Sequence, residues 1–166
     1  MSNELELAGI YSLDKISDEQ LIQFDCGKLS LNEWLKQKAR SNEVSGGSRT
    51  YVLLTLTGKV AGFYCLSNFC LAHDGIRAMI RRNMPNPIPA ILLGRLAISK
   101  DYQGRGIGRA LLRHAIEKAR RVSEITGAAL LITEPLNENA SSFYLHVGFA
   151  PVGKNLPFLA IKLHRP

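Results

Sequence analysis

The stretch GRLAISKDYQGRGIGRALL, residues 94–112, decides how this chain is organised. It starts with an apolar run typical of a buried β-strand, and this run breaks off at Ser99 and Lys100. Three glycines within Gly104–Gly108 follow, and after them comes an apolar stripe typical of a helix. Glycines let backbone N–H groups converge, and the first N–H groups of a helix lack internal partners. The stretch therefore predicts a phosphate-binding turn between a strand and a helix.

The glycine turn does not match two common phosphate-binding motifs. A P-loop requires Gly-x-x-x-x-Gly-Lys-Ser/Thr, which is absent, and this disfavours a nucleoside triphosphate with magnesium. A dinucleotide fingerprint requires a wider second gap between its glycines than Gly104–Gly108 provides, and no βαβ unit opens the chain. A turn that is only structural remains the alternative at this point.

Patterns in the rest of the chain predict a mixed α/β sheet covered by helices. Continuous or alternating apolar runs indicate the strands, and apolar residues at helical spacing indicate the helices. Strands are predicted at 5–13, on either side of a hairpin turn at 57–58, and at 90–99, 128–133 and 158–163, and helices at 29–41, 74–83, about 106–125 and 137–148.

Local signals predict where some of these helices begin and which residues they bury. Ser30 with Glu33 three residues later predicts a capping box in helix 29–41. Asn137 and Gly148 predict the N-cap and the C-terminal stop of the last helix. In the short helix in the middle of the chain, three apolar residues are expected to face inward: Ile76, Met79 and Ile80.

The size and composition favour a single soluble domain without a metal site. The chain has 166 residues, of which 46% are hydrophobic. It contains no window of about 18 uncharged apolar residues, so no membrane span is predicted. The N-terminal MSNELELAGI lacks the basic start of a signal peptide, and a cytoplasmic location is expected. Cys26, Cys65 and Cys70 lack metal-ligand spacing and are expected to be buried, reduced thiols.

Positive charge is concentrated in one part of the sequence. The formal net charge is +7, and the segment from Arg77 to Arg121 contains eleven Lys or Arg residues against only Asp101 and Glu117. Such a surplus raises the local concentration of anionic partners, nucleic acid included. The alternative is that the charge only keeps the protein in solution.

Two motifs resemble the GCN5-related N-acetyltransferases, the GNAT family. Gln103-x-x-Gly106-x-Gly108 after a strand that ends in Leu96-Ala97-Ile98 is similar to the acyl-CoA signature of the family, and NENASSFYLHVGF is similar to its later segment. The resemblance implies one GNAT domain over 1–166 with an α/β (α+β) fold. It implies a mixed central sheet of about six to seven strands with helices on both faces.

The GNAT resemblance also implies acetyl-CoA as cosubstrate and assigns residues to it. Asn139 stays open between a cofactor contact and a role in capping its helix. The implied cofactor-binding residues are Leu96, Ala97 and Ile98 for the pantetheine arm and acetyl group, Gln103, Gly104, Arg105, Gly106, Ile107 and Gly108 for the pyrophosphate, and Asn139.

Tyr144 is the candidate catalytic residue. Acetyl transfer from a thioester requires a proton for the departing thiolate, and an ordinary phenol, with a pKa of about 10, is protonated at neutral pH. In the GNAT family, which the chain resembles, the tyrosine equivalent to Tyr144 is the general acid that protonates the thiolate. The alternative is a buried aromatic residue whose hydroxyl caps a backbone group, with Phe143 as the core residue of the pair.

No general base is evident in the sequence. Glu134 follows a predicted strand near the expected site but is also typical of a surface carboxylate, and His114 and His146 are interpreted as surface or packing residues. An α-amine has a pKa of about 7.7 to 8 and a lysine amine about 10.4, so an α-amine needs less help to lose its proton. The missing base therefore favours an α-amine acceptor.

From about Phe24 to Leu163 the chain resembles one branch of the family, the GNAT toxins of bacterial toxin–antitoxin pairs. These toxins acetylate the α-amino group of aminoacyl-tRNA and stop translation. The resemblance implies an aminoacyl-tRNA substrate and a small DNA-binding antitoxin that covers a basic face and co-represses the operon. A homodimer is left open. The segment ITEPLNENASS departs from the branch, so the aminoacyl group is not assigned.

Several basic residues are candidates to contact the phosphates of tRNA. The affinity of the protein for tRNA would then fall as the salt concentration rises. Lys36 and Arg40 are four apart on one predicted helix face, and an arginine inside a buried strand, such as Arg95, is costly without a partner. The candidate RNA-binding residues are Lys36, Arg40, Arg49, Arg77, Arg81, Arg82 and Arg95.

Two other functions remain open from the sequence. One is an acetyltransferase for a small amine or a protein N-terminus, which an acidic acceptor cleft would favour. The other is a non-catalytic CoA-binding partner in a DNA-binding repressor complex.

Overall fold

The computed structural model describes residues 6–164 and contains seven strands and six α-helices within them. Short 3-10 helices at Leu13–Lys15 and Lys100–Tyr102 join some of these elements. The strands are β1 Leu7–Ser12, β2 Arg49–Thr55, β3 Val60–Leu71, β4 Ile88–Ile98, β5 Leu130–Thr133, β6 Ala150–Pro151 and β7 Leu159–Lys162. The helices are α1 Asp18–Ile22, α2 Leu29–Gln37, α3 Ala39–Ser45, α4 Ala78–Arg81, α5 Ile107–Ile125 and α6 Glu138–Val147.

The strands form one sheet in the order β1-β2-β3-β4-β5-β7-β6. The pairs β1–β2, β2–β3, β5–β7 and β6–β7 are antiparallel, whereas β4 and β5 are parallel over Ala90–Leu92. This confirms the predicted mixed sheet. The chain divides into two compact units: one comprises the chain up to Leu66 with Arg95–His114, and the other comprises Ser67–Gly94 and the chain from Ala115 onward.

Aromatic residues form the core of the first unit. The Trp34 ring stacks on Phe63 at a centroid distance of 6.0 Å, and Phe24 meets Phe63 edge-on at 5.5 Å. β3 and β4 approach closely beside this core, because a Cβ placed on Gly62 would lie 2.8 Å from the Ala97 carbonyl oxygen. Only glycine fits there, and the close approach fixes the end of β4.

Helix boundaries in the first unit differ from the prediction. The capping box of Ser30 with Glu33 is wrong, because α2 already begins at Leu29 and Ser30 lies inside it. A capping box occurs instead at α1. The backbone N–H of Gln20 donates to Ser17 Oγ at 3.2 Å, and the Gln20 side-chain oxygen Oε1 accepts from the backbone N–H of Ser17 at 2.8 Å. The helix predicted over 29–41 is divided in two at Lys38.

The second unit contains β5 and α6, whose ends agree with the sequence. The Asn137 side chain accepts a hydrogen bond from the Ala140 N–H at 2.9 Å and caps α6. Gly148 has a φ of +117° and ends the helix in the left-handed region, which glycine adopts without steric cost. Both predictions at α6 are therefore confirmed.

The short helix α4 is less regular than predicted. Ile76 is buried and Ile80 packs partly against the core, but Met79 is 68% exposed, so its predicted inward orientation is wrong. The helix spans only Ala78–Arg81, because Arg82 is extended and Asn83 adopts a left-handed φ of +60°. Ile76 therefore precedes the helix, and the helical spacing that would place Met79 on one face with Ile76 and Ile80 does not apply.

The cysteines differ from the expectation in one case. Cys26, Cys65 and Cys70 form no disulfide within residues 6–164, and the first two are buried as predicted, but Cys70 is exposed near the end of β3. Exposure alternates over the last residues of β3, because successive side chains of a strand point to opposite faces, and Cys70 lies on the more exposed face. Across residues 6–164, no helix is both long and apolar enough to cross a membrane.

Candidate active site

The glycine turn has the geometry of an anion site. β4 ends at Ile98, and α5 begins at Ile107 directly after the turn. Gly104 and Gly106 have φ angles of +76° and +78°, in the left-handed region that favours glycine. The first backbone bond of α5 runs from the Ala110 N–H to the Gly106 carbonyl at 3.3 Å, so the N–H groups before it have no helical acceptor.

Space is available above this turn. A Cβ built on Gly104 or Gly106 would meet no atom within 4 Å. The side chain of Ile107 is buried, so this residue can offer only its main chain to a ligand. Arg105 is exposed, with its guanidinium 5.9 Å from the Tyr102 ring centroid. Together with the helix dipole, these features suit a diphosphate.

Gln103, predicted to bind the pyrophosphate, has its side chain engaged within the protein. Its Nε2 donates to the Cys26 carbonyl at 3.0 Å and to the Ile98 carbonyl at 2.9 Å. Both N–H groups of its side-chain amide are therefore occupied, and only its main-chain N–H can donate to an anionic ligand. The side-chain amide of Gln103 therefore connects the end of β4 to a separate turn at Asp25–Gly27.

The end of β4 carries the residues predicted for the pantetheine arm. Ala97 is buried, while Leu96 and Ile98 are partly exposed. The next residue, Ser99, donates its N–H to the Ala61 carbonyl at 2.9 Å. β4 pairs with β5 in parallel over Ala90–Leu92, and beyond this paired segment it continues to Ile98.

Tyr144 lies on α6 and is only 6% exposed. Its ring contacts Phe143 at a centroid distance of 5.2 Å and Phe149 at 5.3 Å. Phe143 is more exposed than Tyr144, so the expectation that Phe143 is the core residue of the pair is wrong, while the burial of Tyr144 agrees with the alternative of a buried aromatic residue. Asn139 lies in the first turn of α6 with an exposed side chain, while Asn137 makes the cap.

The other titratable candidates are occupied or exposed. His114 Nδ1 lies 2.6 Å from the buried Tyr64 hydroxyl, whose pKa burial raises far above its ordinary value. His146 Nδ1 lies 2.7 Å from the Ser142 carbonyl, and Glu134 is exposed after β5. The packing interpretation of His114 therefore agrees with its contacts.

The predicted RNA-binding residues of the first unit differ in how they are held. Lys36 is in α2 and Arg40 in α3, so the expectation that they share one helix face is wrong. Arg40 donates to the carbonyls of Leu13 and Ile16 and to Asp18 Oδ1, which makes it a structural residue. Leu13 begins the first 3-10 helix and Ile16 directly follows it, so Arg40 ties together the two ends of this short helix.

Arg95 has a different environment from Arg40. Its guanidinium lies 4.3 Å from the centroid of the buried Trp34 ring, a cation–π contact that provides the partner an arginine in this strand requires. Within the described part of the chain, its N–H groups donate no hydrogen bond. Arg95 is therefore orientated by stacking while its donors remain available.

The remaining basic candidates lie at the surface. Arg49 Nη1 is 3.4 Å from Glu43 Oε1 and stays largely exposed. In the second unit, Arg77 donates to the Pro151 carbonyl at 3.1 Å, and Arg81 and Arg82 are exposed.

Comparisons with known proteins show the family of the chain. Residues 46–151 match the Acetyltransferase (GNAT) domain family. The chain is 38% identical to a tRNA-acetylating toxin of Mycobacterium tuberculosis (strain ATCC 25618 / H37Rv), over 86% of each chain.

Two solved structures are also similar. AtaT complexed with acetyl-methionyl-tRNAfMet has a TM-score of 0.83 and 33% identity, over 92% of this chain and 93% of that one. A mutant of KacT has a TM-score of 0.84 and 30% identity, over 95% of both chains. The chain therefore belongs to the GNAT acetyltransferases, in the branch of the tRNA-acetylating toxins.

Proposed function

We propose that this protein is a toxin that transfers the acetyl group of acetyl-CoA to the α-amino group of aminoacyl-tRNA and thereby blocks translation. The observation that carries the proposal is the 38% identity to a tRNA-acetylating toxin over most of both chains. The neighbour AtaT complexed with acetyl-methionyl-tRNAfMet supports the same acceptor. The whole chain serves this activity as one GNAT domain.

Acetyl-CoA is the cosubstrate, and the main chain of Gly104–Gly108 binds its pyrophosphate. The left-handed glycines and the open space above them support this assignment, since backbone N–H groups at a helix N-terminus bind phosphates. The structural neighbour AtaTR is bound with AcCoA, which supports the same ligand here. The end of β4, Leu96–Ile98, binds the pantetheine arm and Asn139 contributes from α6.

Tyr144 is the general acid of the transfer. The neutral α-amine forms a bond to the acetyl carbon, the carbon–sulfur bond breaks, and the Tyr144 hydroxyl proton goes to the departing thiolate. The excess proton of the amine goes to solvent, and solvent returns a proton to the Tyr144 phenolate. The aromatic neighbours of Tyr144 restrict its ring, and this favours one orientation of the hydroxyl.

Six basic residues attract the tRNA acceptor. Arg95 is the most directly supported, because Trp34 orientates its guanidinium and its donors are available. Arg40 is left out, because its guanidinium already donates three hydrogen bonds inside the protein. The proposed contacts to tRNA phosphates are Lys36, Arg49, Arg77, Arg81, Arg82 and Arg95.

A DNA-binding antitoxin is the proposed protein partner. Among the structural neighbours, a Tyr-to-Phe variant of AtaT is bound to the C-terminus of the antitoxin AtaR and acetyl-CoA, and KacTA forms a complex with DNA. A small protein of this class would cover basic residues and prevent tRNA binding. An aminoacyl-tRNA substrate and a DNA-binding antitoxin support a cytoplasmic location as part of this proposal.

A small amine is the second candidate acceptor. Streptothricin acetyltransferase A of Bacillus subtilis (strain 168) is 37% identical over 52% of this chain. This likeness covers about half of the chain, so it supports the transfer chemistry more than the acceptor.

Mass spectrometry of charged tRNA distinguishes these acceptors. Mixed aminoacyl-tRNAs are incubated with the protein and isotope-labelled acetyl-CoA, then digested to release aminoacyl-adenosine. We expect the label on the α-amine of one or a few aminoacyl groups. Label that appears only on a streptothricin-type amine supplied in a parallel reaction would contradict the tRNA proposal. No label on any acceptor, with acetyl-CoA still bound, would indicate the non-catalytic function.

A further inference from the structure

A small polar network surrounds Asp25 in the first unit. The carboxylate accepts at Oδ1 from the Gly27 N–H and from Asn32 Nδ2, each at 2.9 Å, and Lys100 Nζ lies 3.3 Å from Oδ2. Asn32 is buried, and its Oδ1 accepts from the Cys26 N–H at 2.9 Å. Asp25 and Asn32 therefore fix the turn Asp25–Gly27 from two sides.

This turn contacts the segment that leads into the glycine turn. The Lys100 N–H donates to the Asp25 carbonyl at 2.8 Å, which adds a main-chain bond to the ion pair of the same two residues. The Cys26 carbonyl accepts from Gln103 Nε2 at 3.0 Å. Gln103 is the last residue before Gly104, so the turn Asp25–Gly27 fixes the residue at which the glycine turn starts.

The glycine turn has little support of its own. Gly104 and Gly106 adopt left-handed backbone conformations, and nothing lies within 4 Å of the positions that a Cβ would take. Glycine has the largest backbone freedom of any residue. The orientation of the N–H groups therefore depends on the two ends of the turn, which are Gln103 on one side and α5 from Ile107 on the other.

We propose that Asp25 is a positioning residue for cosubstrate binding: with Asn32 and Lys100 it holds the Cys26 carbonyl, which holds Gln103 at the start of the glycine turn. This inference rests on the proposed binding of acetyl-CoA at Gly104–Gly108. A pre-organised turn binds more tightly because less conformational entropy is lost on binding.

An electrostatic effect of Asp25 would have the opposite sign. The pKa of Asp25 is lowered to about 2, first by the hydrogen bond from the Gly27 N–H and then by Asn32 and Lys100. Its carboxylate is therefore an anion at neutral pH, next to a site for an anionic ligand. If charge alone mattered, removal of the carboxylate would leave Lys100 without its partner and strengthen binding of coenzyme A.

Calorimetric titration with coenzyme A tests the inference on the full chain. We expect Asp25→Ala to weaken binding about 3-fold to 10-fold, and Asp25→Asn to restore most of the affinity, because its amide oxygen keeps the bonds from Gly27 and Asn32. Asp18→Ala is the matched control, since Asp18 is an exposed carboxylate of the same unit paired with Arg40. It should bind coenzyme A as the wild type does.

A double-mutant cycle separates positioning from general destabilisation. Gln103→Met removes both hydrogen bonds of the side chain, and we expect Asp25→Ala to add little in that background, because Asp25 acts through Gln103. Full additivity, or unchanged or tighter binding by Asp25→Ala, would overturn the inference. In those cases the wild type still binds, so the proposed function stands. A wild type that does not bind coenzyme A would overturn both.

Discussion

The glycine turn and the surroundings of Tyr144 differ in exposure and in the groups that they offer to a ligand. The turn at Gly104–Gly108 is open, and it offers backbone N–H groups whose directions depend on φ angles. Tyr144 is nearly buried between Phe143 and Phe149, and it offers one hydroxyl. The turn should therefore control how tightly the cosubstrate binds, whereas Tyr144 should control how fast the acetyl group is transferred.

Tyr144→Phe should have the largest effect and tests this separation directly. Loss of the hydroxyl removes the proton donor, and general acid catalysis contributes about 10² to 10⁴ in rate, so kcat should fall by that order. The affinity for acetyl-CoA should stay within about twofold, because the turn is unchanged. Single-turnover kinetics with calorimetry measures both quantities. Equal loss of affinity and rate would show that the two regions are not separable.

Replacement of three arginines extends the comparison to the acceptor. In the variant Arg77→Glu, Arg81→Glu and Arg82→Glu, tRNA binding should weaken by more than tenfold and acetyl-CoA binding should not change. The plot of log K against log salt has a negative slope, and each lost phosphate contact reduces its magnitude by about 0.7 to 0.9. The loss of three contacts should therefore make the slope shallower by about 2 to 3. Filter binding at several salt concentrations measures it. An unaltered slope would place the phosphate track elsewhere.

Gly106→Ala should weaken cosubstrate binding with little effect on the chemistry. A residue with a Cβ in the left-handed region costs about 1–2 kcal/mol, equivalent to roughly 5-fold to 30-fold in an equilibrium constant. Gly127→Ala is the matched control, because Gly127 has no left-handed φ and equal room for a Cβ. Isothermal calorimetry compares the two variants. Equal behaviour of both would contradict a role for the backbone conformation.

Arg40→Met should have the smallest effect on function and a measurable effect on stability. Loss of its bonds to the carbonyls of Leu13 and Ile16 should cost about 1–3 kcal/mol in the free energy of unfolding. Affinity for tRNA should change less than for Lys36→Met, whose side chain is exposed on α2. Thermal denaturation and filter binding measure the two effects. A large loss of tRNA affinity at full stability would return Arg40 to the RNA track.

Features that depend on neighbours in sequence could be predicted. The start and end of α6 follow from Asn137 and Gly148, because an N-cap and a left-handed C-terminus involve residues within one turn. The turn at Gly104–Gly108 is predictable for the same reason, since its glycines set the backbone. The division between α2 and α3 was not predictable, because both halves have helical periodicity.

Features that depend on distant partners could not be predicted. Asp25 and Gln103 are far apart in the sequence and meet through the Cys26 carbonyl. An aspartate two residues before a glycine indicates a local turn, but no pattern shows which side chain that turn will hold. The stacking of Arg95 on Trp34 is similar, because each residue alone is typical of its own element.

The sequence by itself determined the family, the glycine turn and most of the strands and helices, because apolar periodicity and glycine conformations are local properties. It did not predict α1, the separate α3 or β6. Only the tertiary structure decided which charged side chains are already engaged. Arg40 and Gln103 are held by backbone carbonyls, while the donors of Arg95 are available. Hydrogen-bond partners of long side chains come from other segments, and their identity depends on how those segments pack.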